Sequence, residues 1–421
     1  MENKELIMKD ENRVLIIGGG AAGLTAAIAA ARNKAEVMIL EASDRVGRKI
    51  LATGNGRCNL TNVNMDIKRF HGENVKFAKG PLKQFDVDQV INLFEFLGIS
   101  CKVEDGGKVY PYSDQASSVL DVLRYQLQAL GVEERCNSKV KGIKPSKGGF
   151  KVILEDDTTI HGNKVIVATG GMASPQLGSD GSGYNLLKAL GHSIIEPFPA
   201  LIQLKLEAKF LKGISGVKFV GEASIEIDDK ALRIEGGEIL FTDYGISGPP
   251  ILQLSRLASE GLMTGKIPYI TLDLFPQLTK EELYANLKLR LAYQPERPLD
   301  FSFIGLINKK LIPVVLKEAN LSSPTKPSVQ VKDQEIRRLV ELLKGWRLKV
   351  NGTQAWKHAQ VTAGGIKVDE VDPRTMESRL IQGLYIAGEI LDIDGDCGGF
   401  NLQWAWSTGY IAGEAAILNH T

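Results

Sequence analysis

Residues 14–41 read VLIIGGGAAGLTAAIAAARNKAEVMILE, and this stretch decides the fold. The apolar run 14–17 predicts a short strand, 21–33 an alanine-rich helix, and 37–40 a second strand ending at Glu41. Gly18, Gly20 and Gly23 supply a GxGxxG turn between the first strand and the helix, the order of a dinucleotide-binding βαβ unit. Gly18 allows the tight turn. Gly20 lets the backbone at Ala21 and Ala22 approach a pyrophosphate, and Gly23 lets the helix sit close to the sheet. The anion rests on unpaired amides at the helix N-terminus. Glu41 is placed to accept hydrogen bonds from a ribose, and its charge repels the extra phosphate of NADP. The expected nucleotide is therefore FAD or NAD.

A chain of 421 residues exceeds the usual size of one hydrophobic core, so two domains are expected. Apolar residues at 43% and charged residues at 24% fit a globular protein. The net charge of +1 supplies no global attraction to nucleic acid or to an anionic membrane, and neither is expected as a partner. The first ten residues carry two Lys and three acidic side chains, unlike a signal peptide, and residues 1–12 read as a loose leader. Cys58, Cys101, Cys136 and Cys397 are too scattered for a disulfide framework or zinc cluster, and there is no C-x-x-C pair. The five His are equally dispersed, so no metal site is expected. A reduced, cytoplasmic protein is the expectation.

Outward from the fingerprint, 50–62 is a polar glycine-containing loop, LATGNGRCNLTN at its core. Residues 87–97 and 119–130 have helical apolar spacing. Residues 150–154 and 164–168 read as strands, the second a continuous apolar run leading into Thr169-Gly170-Gly171. Its end, Ala168 to Gly170, is expected to approach the nucleotide from beneath the first turn. Composition changes at Pro197-Phe198-Pro199. Alternating stretches at 201–206, 217–227, 232–241 and 267–274, with a turn at Glu235-Gly236-Gly237-Glu238, predict an antiparallel sheet or small barrel. Helical patterns follow at 281–292, 303–319 and 333–346. Residues 383–389 then return to a strand ending in a close-approach turn, before a loop containing Gly395, Gly398 and Gly399 and a helix. The expectation is an α/β protein with a discontinuous Rossmann-like domain, residues 1–196 and 354–421, interrupted by a strand-then-helix insert, 197–353.

Only one fingerprint is present. Gly178, Gly181 and Gly183 imitate a second, but the surrounding SPQLGSD is not a strand. Without a second βαβ site, and with a C-terminal strand–turn–helix placed to close over a larger cofactor, FAD is favoured over NAD. The motifs VLIIGGGAAGLTAAIAA, GRKILATGNGRCNLTN, VIVATGG, GISGP, VTAGGI, TMESR and LYIAGEILDIDGDCGGFNLQWAWSTG span nearly the whole chain. In this combination the chain resembles the flavoprotein family described as HI-type NAD(FAD)-utilizing dehydrogenases, which includes BaiN-like bile-acid dehydro-reductases and a bacterial aminoacetone oxidase. The resemblance implies an FAD-binding α/β domain with an inserted barrel-like and helical substrate domain.

The resemblance also implies roles for particular residues. Gly18, Gly20, Gly23 and Glu41 would serve the ADP half of FAD, with Val140 by the adenine. Arg48, Lys49, Thr53, Gly54, Asn55 and Gly56 would line the flavin-side loop, and Asn59 and Leu60 would hold its end. Gly388, Glu389, Asp392, Gly398, Gly399, Phe400 and Asn401 would surround the pyrophosphate, ribityl chain and ring. FTDYGISGP carries Asp243 where many relatives have His, which puts a shared acid–base role there in doubt. His358, just before VTAGG, is a candidate proton donor, as Asn59 is a candidate catalytic-loop residue. Arg48, Lys49 and Arg57 are candidates for charge contacts with reduced flavin. Cys58 reads as a buried inert thiol rather than half of a redox pair with Cys397, and Trp404 and Trp406 read as packing residues.

The function expected is FAD-dependent hydride transfer to or from a small or moderately hydrophobic organic substrate, with NAD(P)H as a transient electron donor. Oxygen-dependent amine oxidation and flavin-dependent RNA modification are the alternatives. Basic pairs at Lys309-Lys310 and Arg337-Arg338 would serve the last, or simply form solvated helix faces.

Overall fold

A computed structural model of the chain describes residues 12–321 and 323–418. The leader expected at residues 1–12 lies outside them but for Asn12. Two compact units emerge, one built from the residues up to Pro197 and from Val361 onward, the other from Phe198–Gln360.

The first unit is organised by a five-stranded parallel sheet. Its strands are β1 (Arg13–Ile17), β2 (Glu36–Leu40), β3 (Glu133–Arg135), β4 (Lys164–Val167) and β5 (Leu384–Ile386). Their spatial order is β5-β4-β1-β2-β3, with Leu15 opposite both Met38 and Val165, and Val165 opposite Leu384. Val14, Leu15 and Ile16 have no exposed surface, as a central parallel strand covered on both faces requires. Helix α1 (Ala21–Arg32) follows β1, and α2 (Phe400–Ala415) follows β5. The alanine content of α1 is explained by α2. A Cβ on Gly409 would collide with the Ala22 carbonyl, and one on Gly413 with that of Ala26. Small residues four apart on both helices therefore let the two backbones touch. A three-stranded antiparallel sheet, Val140–Ser146, Gly149–Leu154 and Thr159–Gly162, completes the crossover between β3 and β4.

The inserted unit is a closed six-stranded barrel with helices. Its strand order is Leu204–Leu206, Gly245–Ser247, Lys230–Phe241, Lys218–Ile227, Tyr269–Asp273, Trp346–Thr353. Ile225, Ile239, Phe241, Ile270, Leu272 and Trp346 share its core.

Several sequence expectations are corrected here. Glu235 to Glu238 is no turn: Gly236 pairs with Glu222 and Gly237 with Gly221 inside one long strand. The reversal is at Asp228 and Asp229, both left-handed. The stretch 201–206 splits at Leu201 (φ 49°) between strands Ile194–Ala200 and Leu204–Leu206. Of the helix expected at 303–319 only Leu311–Glu318 forms; the chain turns through left-handed Gly305 before it, and a short helix, Leu299–Ser302, precedes the expected start. Pro249–Met263 is a helix that the strand-like reading of this region passed over, with Ile251, Leu254 and Ala258 buried along it. The last insert helix ends at Lys344, and Trp346 opens the strand that closes the barrel. The inserted unit accordingly runs to Gln360 rather than 353.

Candidate functional site

At the C-terminal end of β1 the chain turns through Gly18, whose φ of 101° suits glycine. A Cβ there would lie 2.6 Å from the Ala168 carbonyl oxygen and 2.9 Å from the Thr169 Cα, so β4's loop does pass against the fingerprint turn. A Cβ on Gly23 would collide with the Gly18 carbonyl, the close helix–sheet approach expected of the third glycine. Gly20 differs: a Cβ there meets nothing within 4 Å. It is the N-cap of α1, and no side chain caps that helix. Free amides and open space at one helix N-terminus form a cradle suited to an anion. Beside it, Glu41 accepts hydrogen bonds from Gly19 N and Ser43 N, both at 2.8 Å, which fixes the carboxylate and leaves each oxygen a further lone pair for a hydroxyl donor. These features fit the phosphate and ribose of a dinucleotide.

The loop after β2 forms a second wall. Gly54, Asn55, Gly56 and Cys58 are all left-handed, and Gly54 is also pinned because a Cβ would lie 2.8 Å from Asn59 N. Thr53 Oγ1 donates to the Ile50 carbonyl. Arg48 donates to the Gln176 carbonyl at 3.0 Å and faces Asp44 at 3.6 Å. Lys49 Nζ lies 2.6 Å from Glu389 Oε2, while Glu389 Oε1 accepts from Thr362 N at 2.9 Å. Thr362 Oγ1 in turn accepts from Met172 N and Ala173 N. One connected set of bonds thus joins four segments far apart in sequence. Arg57 is engaged elsewhere: it pairs with Glu104 and Asp114 and lies over the Tyr110 ring at 4.0 Å, and the two carboxylates hold its pKa above the ordinary guanidinium value.

The third wall is the N-terminus of α2. Gly398 and Gly399 are left-handed, and a Cβ on Gly399 would collide with the Thr61 carbonyl. Asn62 Nδ2 donates to the Gly398 carbonyl at 2.8 Å, and Asn401 holds Gly395 through both its N–H and its carbonyl, each at 2.8 Å. Phe400 packs edge-on to Phe70. The indoles act as struts. Trp404 Nε1 donates to the Gly388 carbonyl at 3.1 Å, Gly388 N donates to Thr408 Oγ1 at 2.9 Å, and Trp406 Nε1 donates to the Leu60 carbonyl at 3.0 Å. Both tryptophans are buried, as their packing reading expects. Like α1, α2 has no side-chain cap.

Other expected residues fall as follows. Asp392 is buried and accepts from Glu73 N at 2.8 Å. Val140 is buried at the start of its antiparallel strand. Gly170 is left-handed against Ser179. Cys58 is a free, buried thiol, its pKa pushed up to about 12 by burial, and burial also raises the pKa of Cys397. His358 and Asp243 are exposed side chains of the inserted unit. The sequence reading missed Tyr184, whose hydroxyl is buried without a hydrogen-bond partner. Burial, then the charges of Glu389 and Asp392, raise its pKa and keep it protonated. Nothing in its spacing distinguishes it from an ordinary core residue of the helix Ser182–Ala189.

Among the described residues, no cluster of three or more His, Cys, Asp or Glu side chains is arranged to hold a metal, and no helix is long and apolar enough to cross a membrane.

A single fingerprint turn, a carboxylate beside it and a second uncapped helix closing the same unit define a dinucleotide-binding protein of the Rossmann class, and its family and relatives make it an FAD-dependent oxidoreductase. The profile described as "HI0933-like protein Rossmann domain" matches residues 12–415, and the chain belongs to that family. It is 42% identical over 407 residues to the 3-dehydro-bile acid delta(4,6)-reductase of Clostridium scindens, covering 96% of this chain and 99% of that protein. It is 28% identical over 403 residues to the ribosomal RNA dihydrouridine synthase of Escherichia coli, covering 96% and 97%. Among solved structures, the 3-ketosteroid-delta4-(5alpha)-dehydrogenase of Rhodococcus jostii RHA1 superimposes with a TM-score of 0.49 at 14% identity, covering 99% of each chain.

Proposed function

We propose that this protein saturates a carbon–carbon double bond conjugated to a carbonyl in a moderately hydrophobic small molecule, using electrons from NADH or NADPH. The observation carrying the reading is the full-length 42% identity to a reductase whose name specifies a 3-oxo, delta(4,6) substrate. The ribosomal RNA relatives are named dihydrouridine synthases, and converting uridine to dihydrouridine saturates a ring double bond conjugated to a carbonyl. The reading therefore keeps the chemistry common to both and takes the small-molecule substrate from the more similar relative. FAD, when bound, supplies hydride-transfer chemistry.

The chain's own residues do the rest. The α1 amides at Gly20, Ala21 and Ala22 hold the pyrophosphate, with Gly18 and Gly23 setting the turn. Glu41 takes a ribose hydroxyl, Val140 packs by the adenine, and Ala168, Thr169 and Gly170 support the turn from below. Arg48, Lys49, Thr53, Gly54, Asn55, Gly56, Asn59 and Leu60 form the ring-side wall. Gly388, Glu389, Asp392, Gly398, Gly399, Phe400 and Asn401 close it, with the uncapped α2 N-terminus favouring negative charge. Residues 198–360 serve as the substrate domain. A proton must also reach the substrate carbon, and His358 and Asp243 are candidates because their exposure lets them exchange protons with solvent. The reading takes the protein to work in the cytoplasm, where thiols are kept reduced.

Anaerobic addition of NADH or NADPH should bleach the protein's flavin absorbance, and a 3-oxo-4,6-diene steroid should restore it. Restoration by uridine-containing ribosomal RNA and not by the dienone would select the RNA reading. Failure of both nicotinamides to bleach a fully loaded protein would overturn the proposal.

A further inference from the structure

Asn59 is 8% exposed, and its side-chain oxygen is buried without any hydrogen-bond donor. Leaving an amide oxygen so placed is unfavourable by about 1–3 kcal/mol relative to a satisfied one. Few native groups stand this way unless something absent supplies the donor. Around Asn59 the fold is specific. The Cβ position of Gly399 lies 3.0 Å from Asn59 Oδ1, so the orphan oxygen abuts the N-cap of α2. That helix has sixteen residues and no side-chain cap, and Gly399 there is left-handed. An unsatisfied acceptor therefore stands beside a set of unsatisfied donors. The opposite anion cradle, at Gly20, has donors flanked by a carboxylate that is already fixed by two amides. The two helix N-termini differ in what they can read: one takes an anion beside a hydroxyl, the other a group that presents acceptor and donor side by side.

An isoalloxazine presents that pattern along its pyrimidine edge, where the imide N3–H lies between two carbonyls. N3–H is the one ring N–H of the oxidised form. We propose that Asn59 Oδ1 is the acceptor for the flavin imide N3–H, paired with α2 amides that take the neighbouring carbonyl, and that Asn59 is thereby a positioning residue for the ring. This rests on FAD being the bound dinucleotide, as the proposed function holds. It assigns the ring-end specificity to one side chain, and it predicts discrimination against a flavin that lacks only that proton.

The test compares apoprotein binding of FAD and of 3-methyl-FAD, followed by quenching of flavin fluorescence, in the wild type, Asn59→Ala and Asn59→Asp. The wild type should prefer FAD by about tenfold or more, the scale of one buried hydrogen bond. Asn59→Ala should bring the ratio near one by weakening FAD binding alone. Asn59→Asp, which keeps an acceptor oxygen, should retain the preference, and it answers the question if the Ala variant does not fold. A wild-type ratio near one, a preserved ratio in Asn59→Ala, or a lost ratio in folded Asn59→Asp would each overturn the assignment. If FAD binds and is bleached by nicotinamide while the ratio is one, this inference alone fails. If FAD does not bind, the functional reading fails with it.

Discussion

Lys49 and Glu389 stand 340 positions apart in the chain and meet with the ammonium 2.6 Å from a carboxylate oxygen. Their side chains are 24% and 20% exposed, so water screens the pair only partly. Glu389 is also fixed through Thr362 N, which makes the pair a rivet between the loop after β2 and the turn after β5. Lys49→Met should destabilise the apoprotein by about 1 kcal/mol in urea titrations and weaken FAD binding. Adding Glu389→Gln should cost less than the sum of the two single changes, since the second partner is then already unpaired. Additive effects would show that the two side chains do not work together.

Gly20→Val separates folding from cofactor binding. Because a Cβ at Gly20 meets open space, the apoprotein should melt within a degree or two of the wild type. FAD affinity should fall by about a hundredfold or more, as the new side chain occupies the anion's approach. Unchanged affinity in titration calorimetry would place the phosphates elsewhere.

Cys58 should resist alkylation. Its buried thiol, raised from 9.0 to about 12, carries almost no thiolate at pH 8. In peptide mass spectrometry after iodoacetamide treatment, Cys58 should stay unmodified in the native protein and react once it is unfolded. The linkage has a sign. Below pH 9 the folded and unfolded thiols are both protonated. From pH 9 towards 12 the unfolded chain loses its proton first, and stability declines. A Cys58→Ala variant should show a shallower alkaline decline.

His192 gives the acid counterpart. Its Nδ1 lies 3.0 Å from Glu370 and its Nε2 2.9 Å from Ser378 Oγ, and burial holds its pKa below the ordinary 6.5 against the pull of Glu370. The unfolded imidazole therefore takes up a proton at a higher pH than the folded one. Stability contributed above pH 6.5 is lost as the pH falls through the folded value. Urea melts between pH 8 and pH 5 should show this decline. His192→Leu should be less stable at pH 8 by about 1–3 kcal/mol, from the partners left unsatisfied, and should flatten the acid slope. A slope equal to the wild type's would remove His192 from the account.

What was legible in the sequence followed the range of the interaction. Gly18, Gly20 and Gly23 act through their own backbone and near neighbours, so their turn could be read residue by residue. The insert's last helix shows where local reading fails. Ile336, Leu339, Val340 and Leu343 have helical spacing, and Trp346 continues it, so the pattern runs past the true stop. The chain in fact breaks at Gly345, and Trp346 belongs to the barrel, where Leu272 is its cross-strand partner. Gly236 and Gly237 misled in the opposite direction: flexible residues suggest a turn, yet here they pair with Glu222 and Gly221 across a hairpin. In the sequence Asn59 is marked by the family resemblance, which places it at the end of the flavin-side loop. That its oxygen ends beside Gly399 follows only from the packing of α2, and Tyr184 announces itself only through a burial that no spacing reveals.

The seating of α2 on α1 also bears on the order of events during synthesis. When α1 has left the ribosome, the surface at Ala22 and Ala26 has no cover until Gly409 and Gly413 are made, nearly 400 residues later. β4 likewise waits for β5 as its outer neighbour. Residues 198–360 form a unit from one uninterrupted stretch, so the barrel is free to close while the parallel sheet still lacks its last strand. Loading with the dinucleotide is then an event of the finished chain. A product cut short before residue 400 would carry the whole fingerprint turn and still lack the helix that seals it.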